Sequence, residues 1–302
     1  MYDDFARVVV MAKAKVVASL LTQDQDFQKL QAADAAAAAQ RSGLDLEVVF
    51  AKNNSRLQIE QLYHFIHAVP SARPVAIVVQ TVAGDGLPRV ARDAAKAGIG
   101  WLLLNREGDS IEELRAEYPS LPIGIVTIDQ LGIGRIQGAQ FRALLPNGGN
   151  ALYVQGPPDT SAASERLRGL HEVIANAGIE LKILNAEWTE ASSEKVVALW
   201  LSLSSSRDYP LKLAGAQNDA MALGARKAIA TARPEWLQCP FTGCDGLPDG
   251  GQRLVRERQL AATVIVPPTA GAAINLVATH ARDKSPISAR VVLAPRAYPA
   301  LS

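Results

Sequence analysis

The sequence predicts an α/β protein of two similar doubly wound parallel-sheet lobes, with a hinge and a ligand cleft between them. Three observations carry this. Short apolar runs alternate with helix-patterned stretches along almost the whole chain. Several runs, such as VAIVV (75–79) and GWLLL (100–104), are apolar throughout, as strands covered on both faces are. The alternation restarts near residue 150, leaving five strands before residue 129 and four or five after 150. Strand–helix alternation implies parallel sheets with right-handed crossovers. No linker rich in Pro, Gly or Ser separates the halves, so a close interface is expected.

The first half reads KVVASLL (15–21), then an alanine-rich helix from Phe27 to Ser42 that Gly43 ends. LEVVFA (46–51) is the next strand. Leu57, Leu62, Phe65 and Ile66 then fit one helix face. VAIVV, GWLLL and IGIVTI (123–128) complete this half. The second half opens with NALYVQ (150–155), followed by a helix from about Ala162 to Ala177 closed by Gly178. LKIL (181–184), a helix from Ser192 to Leu201, LKLAGA (211–216), another helix and PFTGC (240–244) follow.

Ligands of open parallel sheets bind beyond the carboxyl ends of the strands. In this chain those ends read TQDQDF (22–27), QTVAGDG (80–86), NRE (105–107), QGPPDTSAASER (155–166), NAEW (185–188), QND (217–219) and CDGLPDG (244–250). Carboxylates and amides exchange hydrogen bonds with hydroxyls, arginine offers a fork of donors, and aromatic faces pack on sugar rings. Strand-to-helix turns are rich in Asp, Asn and Ser as caps in any case. Seven such turns on one rim, with Arg106, Arg166 and Trp188 among them, point to a pocket for a polyhydroxylated, neutral ligand.

Composition excludes several classes. The 302 residues are 48% apolar, with 31 basic and 30 acidic side chains and a net charge of +1. That balance argues against nucleic acid as a partner. Cys239 and Cys244 lack neighbouring ligands for zinc and read as small buried hydrophobes. No apolar run reaches the roughly 18 residues that span a bilayer. The N-terminus, MYDDFARVVVMAKAKVVASLL, opens on acids and is interrupted by Lys13 and Lys15, unlike a signal peptide. A periplasmic location is expected if an export signal has been removed, and a cytoplasmic one otherwise.

Catalytic motifs are missing. GIGRIQG (132–138) has G-x-G-x-x-x-G spacing, so its glycines read as helix-packing residues rather than a dinucleotide loop. There is no P-loop and no G-x-S-x-G elbow. HEVIA (171–175) lacks a second histidine, and His64 and His67 lack a third ligand and read as a partly buried helix face. No catalytic residue, metal or cofactor is expected.

AQNDAMALGARKAI (216–229), GCDGLPDGG (243–251), LAATVIVPP (260–268) and TSAASERLRGL (160–170) together resemble the type I periplasmic sugar-binding proteins, whose fold also forms the ligand-binding part of LacI-type repressors. The likeness covers nearly the whole chain. It implies two lobes joined by crossings near Thr127–Leu131, Val266–Pro268 and Ser288–Val291. The lobes would be 1–128 plus 267–288 and 129–266 plus 289–302. It implies that Arg166, Asn218 and Asp245 match polar ligand contacts of the family and that Trp188 stands at a stacking aromatic. Asn105 and Arg106 fall on a D-R pair of the ribose-binding members, so an amide replaces a carboxylate. Phe27 keeps one ring of an N-N-P-F-F stretch, while Asp24, Gln25 and Asp26 replace the rest. Val266 replaces a ligand-contacting glutamine. A monosaccharide other than ribose, a polyol or a related small polar molecule is therefore expected.

The ligand set expected is Asp24, Asp26, Phe27, Gln80, Asn105, Arg106, Arg166, Trp188, Asn218 and Asp245, with Asp219 as a helix cap. The expected function is non-catalytic binding with hinge closure. The partner would be the membrane permease of an ABC importer or a signalling partner, and the chain a monomer. A sugar-sensing regulatory domain and a small-molecule enzyme are the alternatives, although no nucleophile or base supports the second.

Overall fold

The structure, a computed structural model, describes residues 13–84, 86–106, 108 and 110–300. Much of the N-terminal stretch weighed as a signal peptide lies outside them. Strands β1 (Lys15–Leu20), β2 (Asp45–Phe50), β3 (Ala76–Val79), β4 (Gly100–Leu104) and β5 (Ile123–Ile128) alternate with helices α1 (Asp26–Ser42), α2 (Ser55–Ile66), α3 (Pro88–Lys96) and α4 (Ser110–Glu117). Then come α5 (Gln130–Leu144), β6 (Gly149–Gln155), α6 (Ser161–Ile174), β7 (Ile179–Asn185) and α7 (Glu190–Ser202). The series continues with β8 (Leu211–Ala216), α8 (Asp219–Ala232), β9 (Phe241–Thr242), α9 (Gly251–Arg256) and β10 (Thr263–Ile265). Helix α10 (Ala270–Asp283), β11 (Arg290–Leu293) and β12 (Arg296–Tyr298) end it.

The first sheet is parallel throughout, in the order β2-β1-β3-β4-β5-β11. The second runs β7-β6-β8-β9, also parallel. Isolated parallel bridges, Thr242 to Ala262 and Asp245 to Ile265, set β10 beside β9, and β12 pairs antiparallel to β10. Both lobes thus begin in the order second, first, third, fourth. The order reverses at β1/β3 and at β6/β8, and a crevice opens beyond the strand ends at such a point.

Burial explains the unbroken apolar runs. In the first lobe Val17, Ile77, Trp101 and Leu103 enter a core on one sheet face, and Val16, Ala18, Val78, Leu102 and Leu104 a core on the other. In the second lobe Leu152 and Val154 face one core, and Ala151 and Tyr153 the other. Gly43, at φ 67°, closes α1, and Asn54 caps α2 by accepting from Leu57 N at 3.0 Å.

GIGRIQG is helical, on α5. Gly134 lies against the carbonyl of Arg166 and Gly169 against that of Leu131, where neither could carry a Cβ without displacing backbone. These glycines let α5 and α6 pack closely.

Two findings correct the sequence reading. First, β11 belongs to the first sheet: Arg290 to Leu293 pair with Ile125 to Ile128. Residues 289–302 therefore do not all join the second lobe, and the third crossing falls after Leu293 rather than near Ser288–Val291. Pro295 stands in that crossing, where a residue without an N–H cannot extend the ladder. The first two crossings follow Ile128 and Ile265. Asp129 N donates to Leu293 O at 3.0 Å, tying two crossings together. Second, His64 and His67 are both exposed, and His67 stacks on Tyr63 with ring centroids 5.2 Å apart. Cys239 and Cys244 are free thiols, half-buried and buried.

Candidate functional site

The ends of the strands meet in one cavity with about 520 Å³ of empty volume, its open mouth included. The first lobe contributes Leu21, Gln25, Phe27, Gln28, Gln80, Asn105 and Arg106. The second contributes Ala162, Arg166, Trp188, Asn218 and Asp245, while Ile128 and Gln130 line it from the first crossing. An outer groove of about 1360 Å³ continues from it past Asp24, Asp26, Glu190 and Asp249.

Eight of the ten expected residues line the inner cavity. Asp24 and Asp26 stand only on the outer groove and are exposed. Asp24 accepts from the Thr22 hydroxyl at 3.0 Å, and Asp26 pairs with Lys29 at 2.8 Å. Gln25, in the expected TQDQDF turn but outside the ligand set, lines the wall, and Gln28 and Gln130 join it unexpectedly. Gln28 sits in the first turn of α1, where its side-chain amide donates to Gln80 Oε1 at 3.2 Å and its side-chain carbonyl accepts from Leu21 N at 3.3 Å. Gln130 opens α5 just beyond the crossing. Attention to strand ends alone passes over both; the glutamine-rich starts of α1 and α5 were the available signal.

Asn105 and Arg106 follow β4 directly and are each 4% exposed. Asn105 adopts φ 53°, and its Oδ1 has no partner. Arg106 donates from NH1 to the Asn105 carbonyl at 3.1 Å, and its Nε has no partner. Burial, and then the Arg166 charge, lower its pKa to about 10, against a small opposing pull from Asp159.

Arg166 is held more fully. Its Nε donates to Gln130 Oε1 at 2.8 Å and NH1 to Gln217 O at 2.6 Å. Its guanidinium lies 5.5 Å from the centre of the Trp188 ring, within cation–π range. Gly156 makes room for that indole, since any Cβ there would overlap the ring.

The Asn218–Asp219 pair keeps part of its expected division: Asn218 lines the cavity and Asp219 opens α8, but the cap is Asn218, not Asp219. The Oδ1 of Asn218 accepts from Met221 N at 2.7 Å, and its amide donates to Trp188 O at 2.9 Å. Asp219 opens α8 but its carboxylate turns inward, accepting from Thr263 Oγ1 at 2.7 Å and Gly246 N at 2.8 Å. Gly243 and Gly251 crowd the same carboxylate, where a Cβ would collide with it. The GCDGLPDGG segment is thus wrapped around Asp219.

Asp245 faces the cavity at φ 102°. It keeps a little surface toward the cleft, but protein surrounds the rest. Burial pushes its carboxyl up to about 7 despite the opposing Arg166 charge. Asp219 is raised well above the usual carboxylate range, by burial first and the Asp245 charge second.

Asn105, Trp188 and Asp245 all hold left-handed backbone at this cavity. For a tryptophan or an aspartate such backbone is strained, and it persists where surrounding contacts enforce it. The arrangement offers amides, a carboxylate, two guanidinium groups and two aromatic faces to a ligand of ring size. Among the described residues no group of three or more His, Cys, Asp or Glu could hold a metal. Among them, too, no helix is long and apolar enough to cross a membrane.

Comparison with known proteins agrees with this architecture. The family model described as "Periplasmic binding protein domain" matches residues 16–285. The chain is 29% identical over 211 residues to a putative rhizopine-binding protein of Rhizobium meliloti, covering 68% of this chain and 64% of that relative. It is 24% identical over 255 residues to the ribose import binding protein of Escherichia coli K12, covering 84% and 79%. A galactofuranose-binding protein superposes with a TM-score of 0.81 at 21% identity, covering 94% of each chain. A Caulobacter myo-inositol-binding protein, solved with myo-inositol, superposes at 0.79 with 22% identity, covering 94% of this chain and 92% of its own. With its family match spanning most of its length, this chain belongs to the periplasmic binding protein domain family, among the type I periplasmic sugar-binding proteins.

Proposed function

We propose that this chain binds one small polyhydroxylated ligand, a monosaccharide or polyol, without transforming it, as the solute-binding component of an ABC-type sugar importer. The observation that carries this is the interlobe cavity. Polar side chains from seven chain segments converge there, and Asn105 Oδ1 and Arg106 Nε lie buried without partners. A buried orphan polar group costs about 1–3 kcal/mol, so ligand hydroxyls that satisfy these two atoms stabilise the bound state. Gln80, Arg166, Asn218 and Asp245 would hydrogen-bond further hydroxyls, and Trp188 and Phe27 would pack on the carbon faces. Asp24 and Asp26 would frame the mouth.

The relatives named for rhizopine and ribose, and the neighbour holding myo-inositol, support this ligand class. On this reading the chain works as a monomer in the periplasm and hands its ligand to a membrane permease. A thermal-shift screen against sugars and polyols tests it. A ligand at 100 times its dissociation constant adds about 2.7 kcal/mol to stability. If no monosaccharide or polyol raises the melting temperature, the proposal fails.

A further inference from the structure

We infer, building on the proposal that this cleft takes a polyhydroxylated ligand, that the ligand carries a carboxylate and that Arg106 receives it. Among the described residues the charged side chains lining the inner cavity are Arg106, Arg166 and Asp245, two cations against one anion, and Asp159 in the loop after β6 exerts only a small pull on Arg106. Arg166 has two neutral acceptors and the Trp188 face. Arg106 has much less. Among the described residues its one hydrogen bond goes to a backbone carbonyl, its Nε is an orphan, and no carboxylate lies within ion-pair distance of it. The side chain beside it, Asn105, is neutral, and its Oδ1 is also unpaired.

Chemistry decides between ligand classes here. A hydroxyl satisfies an N–H but leaves the guanidinium charge uncompensated in a site that ligand binding dries further. A carboxylate supplies both the acceptor and the charge, and its two oxygens match the guanidinium fork. Neutral Asn105 suits such a neighbour: its amide donates to a carboxylate oxygen while its Oδ1 accepts from an adjacent ligand hydroxyl. A sugar acid, aldonate or uronate, has this combination.

The acids on the outer groove do not reverse this preference. Asp26 is paired with Lys29 and Glu190 with Lys227. Exposed charges are screened over about 8 Å at physiological salt, whereas Arg106 is buried at the cavity wall. The acidic mouth slows the approach of an anion, and the buried guanidinium sets its affinity.

Matched pairs test the inference by calorimetry at about pH 8 and about 150 mM salt: ribonate with ribitol, gluconate with glucitol, and glucuronate with glucose. A charge-assisted pair predicts that at least one acid binds about tenfold or more tightly than its neutral counterpart. Arg106→Gln is expected to weaken both members, since each loses a donor, but to weaken the acid about tenfold more, so that the difference between them is erased. Asn105→Asp, which supplies an internal counter-charge, is expected to weaken the acid about tenfold or more beyond whatever the neutral member loses. The second variant carries the test if the first does not fold. A neutral member that binds as tightly as its acid in every pair overturns the charge assignment and leaves the sugar-and-polyol proposal standing. So does an acid preference that survives both substitutions. No binding by these pairs or by the wider sugar and polyol panel overturns both.

Discussion

The side-chain amide of Asn218 donates to the main-chain carbonyl of Trp188 at 2.9 Å, across 30 residues of sequence. Its other polar atom caps α8 through Met221 N. One residue therefore sets both the start of a helix and the turn that presents an aromatic wall of the cleft. Trp188 keeps φ 60° within that turn. Asn218→Ala removes both contacts, and the lost cap alone is worth about 1 kcal/mol. Asn218→Asp keeps the cap acceptor and loses the donor to Trp188. Chemical denaturation is expected to rank wild type above the Asp variant and the Asp variant above the Ala variant. Ligand affinity is expected to fall in both, with a change in indole fluorescence. Unchanged fluorescence and affinity in Asn218→Asp would show that the tether does not hold the ring.

Asp245 and Asp219 tie stability to pH. Both carboxyls have raised pKa values, Asp245 to about 7. Between about pH 4, the unfolded carboxyl value, and about pH 7, the folded chain keeps protons that the unfolded chain has released. Their contribution is full below that window and is lost as pH rises through it. Asp283, held low by Arg282, acts in the opposite sense but is exposed and screened. The unliganded protein is therefore expected to melt at a lower temperature at pH 8 than at pH 5. Asp245→Asn is expected to flatten that slope in a melting series across the range.

Gly84, in the loop after β3, meets Asp159, in the loop after β6, across the cleft. A Cβ on Gly84 would stand 2.8 Å from the Asp159 carbonyl oxygen. The loops of the two lobes touch there, and backbone cannot yield as a flexible side chain does. Gly84→Ala is expected to leave chemical stability nearly unchanged, because the loop is peripheral to both cores. It is expected to weaken ligand binding and to enlarge the radius of gyration of the ligand-saturated protein in small-angle scattering. Wild-type affinity in this variant would mean that closure does not need the contact.

Gly134 sits under the Arg166 carbonyl, where α5 meets α6. Gly134→Val forces these helices apart and with them the Gln130–Arg166 bond of 2.8 Å. Overpacking of this kind destabilises by about 1–3 kcal/mol. Urea denaturation is expected to show that loss together with weakened binding. Gly178→Ala offers a contrast: its φ of 65° is strained for alanine, but it lies at the opposite end of α6 from the cleft, so it should lower stability without affecting binding.

Much of this was legible in the residues. VAIVV and GWLLL read as strands covered on both faces, and β3 and β4 lie buried between two cores. GIGRIQG read as a packing face, and it is one. Arg106, Arg166, Trp188 and Asp245 stood at strand ends and all reach the inner cavity. Asp24 stood at a strand end as well, yet it turns to Thr22 outside the cavity, while Gln28, one turn farther on, faces inward.

The sequence by itself determined the strand–helix grammar, the two-lobe plan and the polar character of the rim, because periodicity, caps and strand ends are local properties of a chain. The tertiary structure alone decided which rim residues enter the cavity, that Asn218 caps while Asp219 is buried, and that β11 pairs in the first sheet. Each of these depends on a partner far away in sequence. Thr263 lies 44 residues from Asp219, Gln130 36 residues from Arg166, and β5 is the neighbour that claims β11. A carboxylate or amide carries no mark of the donor that will meet it, so its role is settled only when packing brings that donor within hydrogen-bond distance.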